Sequence, residues 1–123
     1  MFVIQFKPGG AFPFLPCPVL ELSDKVQPAE DVFGTGIVEL REGLIRASKA
    51  EDKFARATKW LESCFDATKM PPPELAQVIA ALQTEPVGRH ADVVSSYPNS
   101  PKHLIDQFKR HVGITPKYFQ RIL

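Results

Sequence analysis

Cysteine is scarce, with two in 123 residues, Cys17 and Cys64. They lie far apart and match no zinc-binding spacing, so two reduced, partly buried thiols are expected and not a disulfide. Long apolar runs are missing, since none approaches the roughly 20 residues that cross a bilayer. The N-terminal string MFVIQFKPGG has no basic n-region and no small-residue cleavage site, so it does not read as a signal peptide. There is no His-Glu-x-x-His, no glycine-rich phosphate loop and no Gly-x-Ser-x-Gly. Cys17 stands between prolines and Cys64 on the apolar face of an expected helix, and neither has a basic or histidine partner placed to activate a nucleophile. These absences argue against an enzyme. They predict a cytoplasmic protein with no metal, no cofactor and no membrane contact. Internal repeats and low-complexity tracts are lacking as well.

What is present is ordinary globular composition, with 44% hydrophobic and 24% charged residues, which excludes wholesale disorder. Proline is abundant at twelve, three of them together at Pro71–Pro73, where they mark a boundary. Formal net charge is +1, but it is unevenly spread. Residues 1–86 carry nine Lys/Arg and twelve Asp/Glu, whereas residues 87–123 carry six and two, and also all three histidines, His90, His103 and His111. The near-neutral total hides a basic C-terminal third. Such a segment is either a phosphate-binding surface or a solvated basic face.

The pattern predicts a mainly α protein with a short N-terminal β segment. Phe2, Ile4 and Phe6 alternate with Val3, Gln5 and Lys7 as a strand does, Pro8-Gly9-Gly10 reads as a turn, and Phe12 and Phe14 suggest a second extended stretch. Two short strands cannot stand alone. They either pack on helices or end a sheet whose other strands are absent, and an apolar strand directly after Met1 favours the second. A short helix is expected over Ala29–Phe33, with Pro28 in its first turn. Ile37, Leu40, Leu44 and Ile45 give the stripe of another. Ser48-x-x-Glu51 reads as a capping box opening a third, with Phe54, Ala57, Leu61, Cys64 and Phe65 on one face. Leu75, Val78, Ile79 and Leu82 form the apolar face of a fourth, closed by Pro86 and Gly88.

The last third is the most informative. His90–Tyr97 is a short helical stretch, and Tyr97-Pro98-Asn99 a turn. Ser100 is a good N-cap and Pro101 a good first-turn residue. Leu104, Phe108 and Val112 then recur at i, i+4 and i+8 up to the stop at Gly113. Thr115-Pro116 repeats the cap-plus-proline start ahead of Tyr118, Phe119, Ile122 and Leu123. Helix, tight turn, capped helix is the layout of a helix-turn-helix.

The string Ser100-Pro-Lys-His-Leu104-(x3)-Phe108-Lys-Arg-His-Val-Gly113-Ile-Thr-Pro116-Lys-Tyr118-Phe119 resembles the AraC/XylS family of bacterial transcription regulators. Serine cap, leucine, phenylalanine with basic residues, glycine, Thr-Pro and aromatic all fall at that family's spacings, over about 30 residues. Phe6-x-Pro8-Gly9-Gly10, Glu21-Leu22-Ser23-Asp24 and Phe33-Gly34 resemble, more weakly, the join between sensing domain and helical segment in one branch. The resemblance implies a fragment. Residues 1–22 would be a β remnant of a sensing domain, 23–86 a helical connecting segment, and 87–123 the first of the family's usual two helix-turn-helix units.

It also implies sequence-specific binding of double-stranded DNA, with a recognition helix over Ser100–His111 in the major groove. It allows a homodimer and names no effector. Lys102, Ile105 and Asp106 match the positions the family turns toward base edges. Lys102 could donate to guanine, Ile105 touch a thymine methyl, and Asp106 accept from cytosine or adenine. Arg89, His103, Lys109, Arg110 and Lys117 are candidates for phosphates, which position rather than specify. The bland alternatives are a packed Ile105, an Asp106 paired with Lys102, Lys109 or Arg110, and solvated histidines. The sequence departs from the family where a glycine and an apolar residue usually form the turn. Pro98 and Asn99 stand there, and Asn99 in the left-handed region would restore the bend. Val94 replaces a usual alanine, and Asp106 stands where arginine is common. The alternative function is a protein-interaction or dimerisation module derived from such a regulator, in which the helices at 37–84 and the bare β edge dock on a partner and DNA binding has been lost.

Overall fold

The computed structural model describes residues 2–123 and is mainly helical. Seven α-helices follow one another: α1 (Ala29–Phe33), α2 (Gly36–Arg46), α3 (Ala50–Cys64), α4 (Pro73–Thr84), α5 (His90–Ser95), α6 (Pro101–His111) and α7 (Pro116–Ile122). Single 3₁₀ turns lie at Phe12–Phe14, Val19–Leu22, Ala67–Lys69 and Val87–Arg89.

The expected N-terminal β segment is not there: among the described residues there is no strand, and Met1 lies outside them. Phe2–Phe6 pair with no neighbour, and Phe12–Phe14, with Pro13 at its second position, forms a 3₁₀ turn. The alternating aromatics instead lie on other side chains. Phe2 meets Phe54 of α3 at 5.5 Å between ring centroids, Phe6 meets Phe14 at 5.4 Å, and Phe14 meets Phe65 at 5.4 Å. Part of the segment's backbone bonding goes to the loop after α3: Asp66 N–H donates to the Pro13 carbonyl at 2.8 Å and Lys69 Nζ to that of Leu15 at 2.8 Å. Residues 2–23 are thus an arm laid over helices. The turn at Pro8-Gly9-Gly10 does form: Gly10 N–H donates to the Lys7 carbonyl at 2.8 Å, with Gly9 at φ +81°.

The main core joins α4 to the basic third. Leu75, Val78, Ile79 and Leu82 of α4 cluster with Tyr97, Leu104, Phe108 and Phe119. The i, i+3, i+4, i+7 stripe of α4 is buried on α5–α7, so this packed unit runs across the boundary expected at residue 86. Glu85, held extended at ψ 149° before Pro86, ends α4.

Two local expectations change. Helix α3 opens at Ala50 with Lys49 in the cap position and no side-chain cap bond, so the Ser48/Glu51 box does not form. Pro28 likewise precedes α1 as its cap residue and is not within its first turn.

Candidate nucleic-acid interface

Helix α6 is built by its ends and one stripe. Ser100 Oγ accepts the His103 N–H at 3.1 Å, and Pro101 presets the first helical φ. Val112 and Gly113 N–H both donate to the Phe108 carbonyl, at 2.7 and 2.9 Å. Gly113 has φ +92°, a conformation open to glycine. A Cβ there would also sit 2.7 Å from Ser23 Oγ and 2.8 Å from Val19 Cγ1, so the arm needs glycine's bare surface to reach the end of α6. Ser23 Oγ donates to the Gly113 carbonyl.

Leu104 and Phe108 are buried, and Phe108 meets Phe119 of α7 edge-on at 5.7 Å. Helix α7 starts as expected, with Thr115 Oγ1 accepting the Tyr118 N–H at 3.2 Å. The connection from α5 to α6 is made without a left-handed residue. The one non-glycine residue with positive φ among those described is Asp24, so Asn99 does not take that role. Helix α5 stops at Ser95 instead of reaching Tyr97. Ser96 caps it in the αR region and Tyr97 N–H donates to the Val94 carbonyl at 3.2 Å.

The three residues expected toward base edges share one exposed surface. Lys102 and Asp106 are exposed, and Ile105 is 38% exposed, so it is not packed away. Asp106 makes no ion pair within 4 Å, the one such pair among the described residues being Arg46–Glu42. Ile105 also lines a shallow apolar groove of about 360 Å³ with Val94, Leu104, Pro116 and Lys117, which brings Lys117 beside Ile105. His103, Arg110 and Lys117 are exposed and Lys109 is half-buried. Arg89 lies apart from these: it is exposed at the start of α5, in a depression shared with Glu85 and Asp92, whose carboxylates compete with any phosphate for it.

The histidines divide into two kinds. His90 is buried and its Nε2 lies 3.2 Å from the Glu85 carbonyl, tying α5 to the end of α4. His111 is buried as well, its ring edge-on to Phe12 of the arm at 5.1 Å. Burial first, and then the neighbouring Arg110 charge, hold the His111 pKa below its usual value. Neither is the solvated histidine expected from sequence. His103 is exposed, but not loose. Its Nδ1 lies 2.8 Å from Tyr97 Oη and its ring stacks on that of Tyr97. Sequence reasoning missed Tyr97, whose one local signal is an aromatic in an otherwise polar turn. Among the described residues no cluster of His, Cys, Asp or Glu could hold a metal ion, and no helix is long and apolar enough to cross a membrane.

No protein-family model, characterised protein or solved structure matches the chain. The functional reading therefore rests on the residues and their geometry. A capped helix projects an exposed surface bearing Lys102, His103, Asp106 and Arg110, with Ile105 among them, from a core closed by α4, α5 and α7. Such a surface offers hydrogen-bond donors and positive charge.

Proposed function

We propose that the protein binds double-stranded DNA through α5 and α6, as a non-enzymatic, cytoplasmic part of an AraC-like bacterial transcription regulator. The observation that carries this reading is the packing of α6. Leu104 and Phe108 anchor it in the α4–α7 core, while Lys102, Ile105 and Asp106 stay on the outside. That is what a recognition helix needs to enter a major groove. Lys109, Arg110 and Lys117 supply phosphate contacts at its flank, and His103 one at its first turn.

A salt titration with duplex DNA tests this. With three or four phosphates engaged, log K falls against log salt with a slope of about −3. The carboxylate of Asp106 then opposes the backbone, so Asp106→Arg tightens binding to unrelated duplexes and steepens the slope by about one. Absence of binding at low salt overturns the proposal.

A second reading, as an interaction or homodimerisation module, draws on a different surface. Ile45 of α2 and Phe54 of α3 are 74% and 63% exposed, and Phe54 abuts Phe2 of the arm. Apolar side chains so exposed on one helix pair suit a protein partner. Sedimentation with and without duplex separates the readings, since this one gives self-association independent of DNA.

A further inference from the structure

His103 differs from every other candidate phosphate contact in how it is held. Its backbone N–H is bonded to the Ser100 cap at 3.1 Å. Its ring lies 5.7 Å from that of Tyr97 between centroids, at 24°, and its Nδ1 is 2.8 Å from Tyr97 Oη. Tyr97 is itself only 7% exposed and belongs to the main core. The phenol makes no other hydrogen bond among the described residues, so the arrangement that uses its proton has Oη–H donating to Nδ1. An imidazole accepting at Nδ1 carries its proton on Nε2, and that atom is the one polar group of the side chain left without a partner.

We propose that Tyr97 is a positioning residue which fixes His103 as a preset, uncharged donor, Nε2–H, for a phosphate oxygen of duplex DNA. This rests on the DNA-binding reading above and extends it. Lysine and arginine lose rotamer freedom when they bind a phosphate, whereas the His103 ring is ordered beforehand by the core. The helix dipole also favours an anion at the first turn of α6, although Pro101 has no N–H and the His103 N–H is already bonded to the Ser100 cap. A neutral donor releases no counterion when it binds. His103 therefore sets where the backbone sits, and the lysines and arginines set how strongly salt opposes it.

The test is binding of a random-sequence duplex at two salt concentrations, at about pH 8. The chains compared are the parent, Tyr97→Phe, His103→Ala and the double variant, with melting curves for each. Each single change weakens binding about three- to tenfold, the worth of one hydrogen bond. The double variant is no weaker than His103→Ala alone, and the salt slope stays unchanged throughout. Nitrogen NMR of the parent shows the His103 proton on Nε2.

Parent-like binding by both single variants overturns the proposal and leaves the DNA reading standing. No binding by the parent at low salt overturns both. A Tyr97→Phe loss that persists in full when His103 is already alanine assigns Tyr97 to packing and overturns the coupling. If Tyr97→Phe does not fold, His103→Ala, on an exposed side chain, and the parent's NMR spectrum still decide. Unchanged affinity in that variant, or a proton found on Nδ1, rejects the clip.

Discussion

The α4–α7 unit and the α2–α3 pair are both helical and both built from amphipathic segments, yet they are held in different ways. In the first, Leu75 and Phe108 are wholly buried and Leu82 and Leu104 are 1% exposed. In the second, buried positions fall to small residues: Gly43, Ala57 and, just past α2, Ala47. The aromatics there stay nearer the surface, with Trp60 edge-on to Phe33 at 5.0 Å and Phe54 open to solvent. Lys53 Nζ donates to the Leu44 carbonyl and complements the C-terminal end of α2. Stability follows apolar area removed from water, at about 25 cal/mol per Å². A helix pair closed over glycine and alanine gains little by that measure. A long amphipathic helix is thus weak evidence for a core, and the size of the residues on its inner face decides.

The largest expected effect lies at the centre of the first region. Phe108→Ala leaves a cavity between α4, α6 and α7 and costs about 3–5 kcal/mol, read as a lower midpoint in thermal or urea unfolding. Unchanged melting would break the comparison, because the α4–α7 unit would then not be held by its core. An intermediate effect is set by pH. His111 is buried in the folded state, and burial, then the Arg110 charge, hold its pKa below the ordinary histidine value of about 6.5. The unfolded chain takes up the proton first as pH falls. Stability from this group is therefore present above about pH 6.5 and declines as pH drops toward the lower folded value, where the loss levels off. His111→Phe, which keeps the ring against Phe12, should flatten that part of the pH–stability curve. The smallest effect belongs to the second region. Phe54→Ser removes an exposed ring and changes stability by less than about 1 kcal/mol. A loss as large as that of Phe108→Ala would show that the α2–α3 pair carries a core of its own.

Where one side chain per turn decides, the sequence was legible. The stripe of α4, the Ser100 and Thr115 caps, the stop at Gly113 and the outward phase of Lys102, Ile105 and Asp106 all follow from spacing and from hydroxyl or glycine chemistry. Where a distant partner decides, it was not. Alternation at Phe2, Ile4 and Phe6 looks the same in a strand and in an extended arm, and only the absence of a pairing strand tells them apart. Ser48 and Glu51 have the composition of a capping box, but the helix begins one residue later than that box requires. His111 reads as a surface residue beside Arg110 until Phe12, ninety-nine positions earlier, covers it. Tyr97 and His103 are six apart, spanning a turn whose path the sequence does not dictate.

The bond from Ser23 to Gly113 spans 90 residues of chain, whereas α4 to α7 are linked by short turns. Closing a long loop costs more chain entropy than closing a short one, and each doubling adds about 0.6 kcal/mol. The short connections between the C-terminal helices make their contacts local, whereas docking of the arm carries the larger closure cost. The far end of α6 is thus completed by a segment translated well before it.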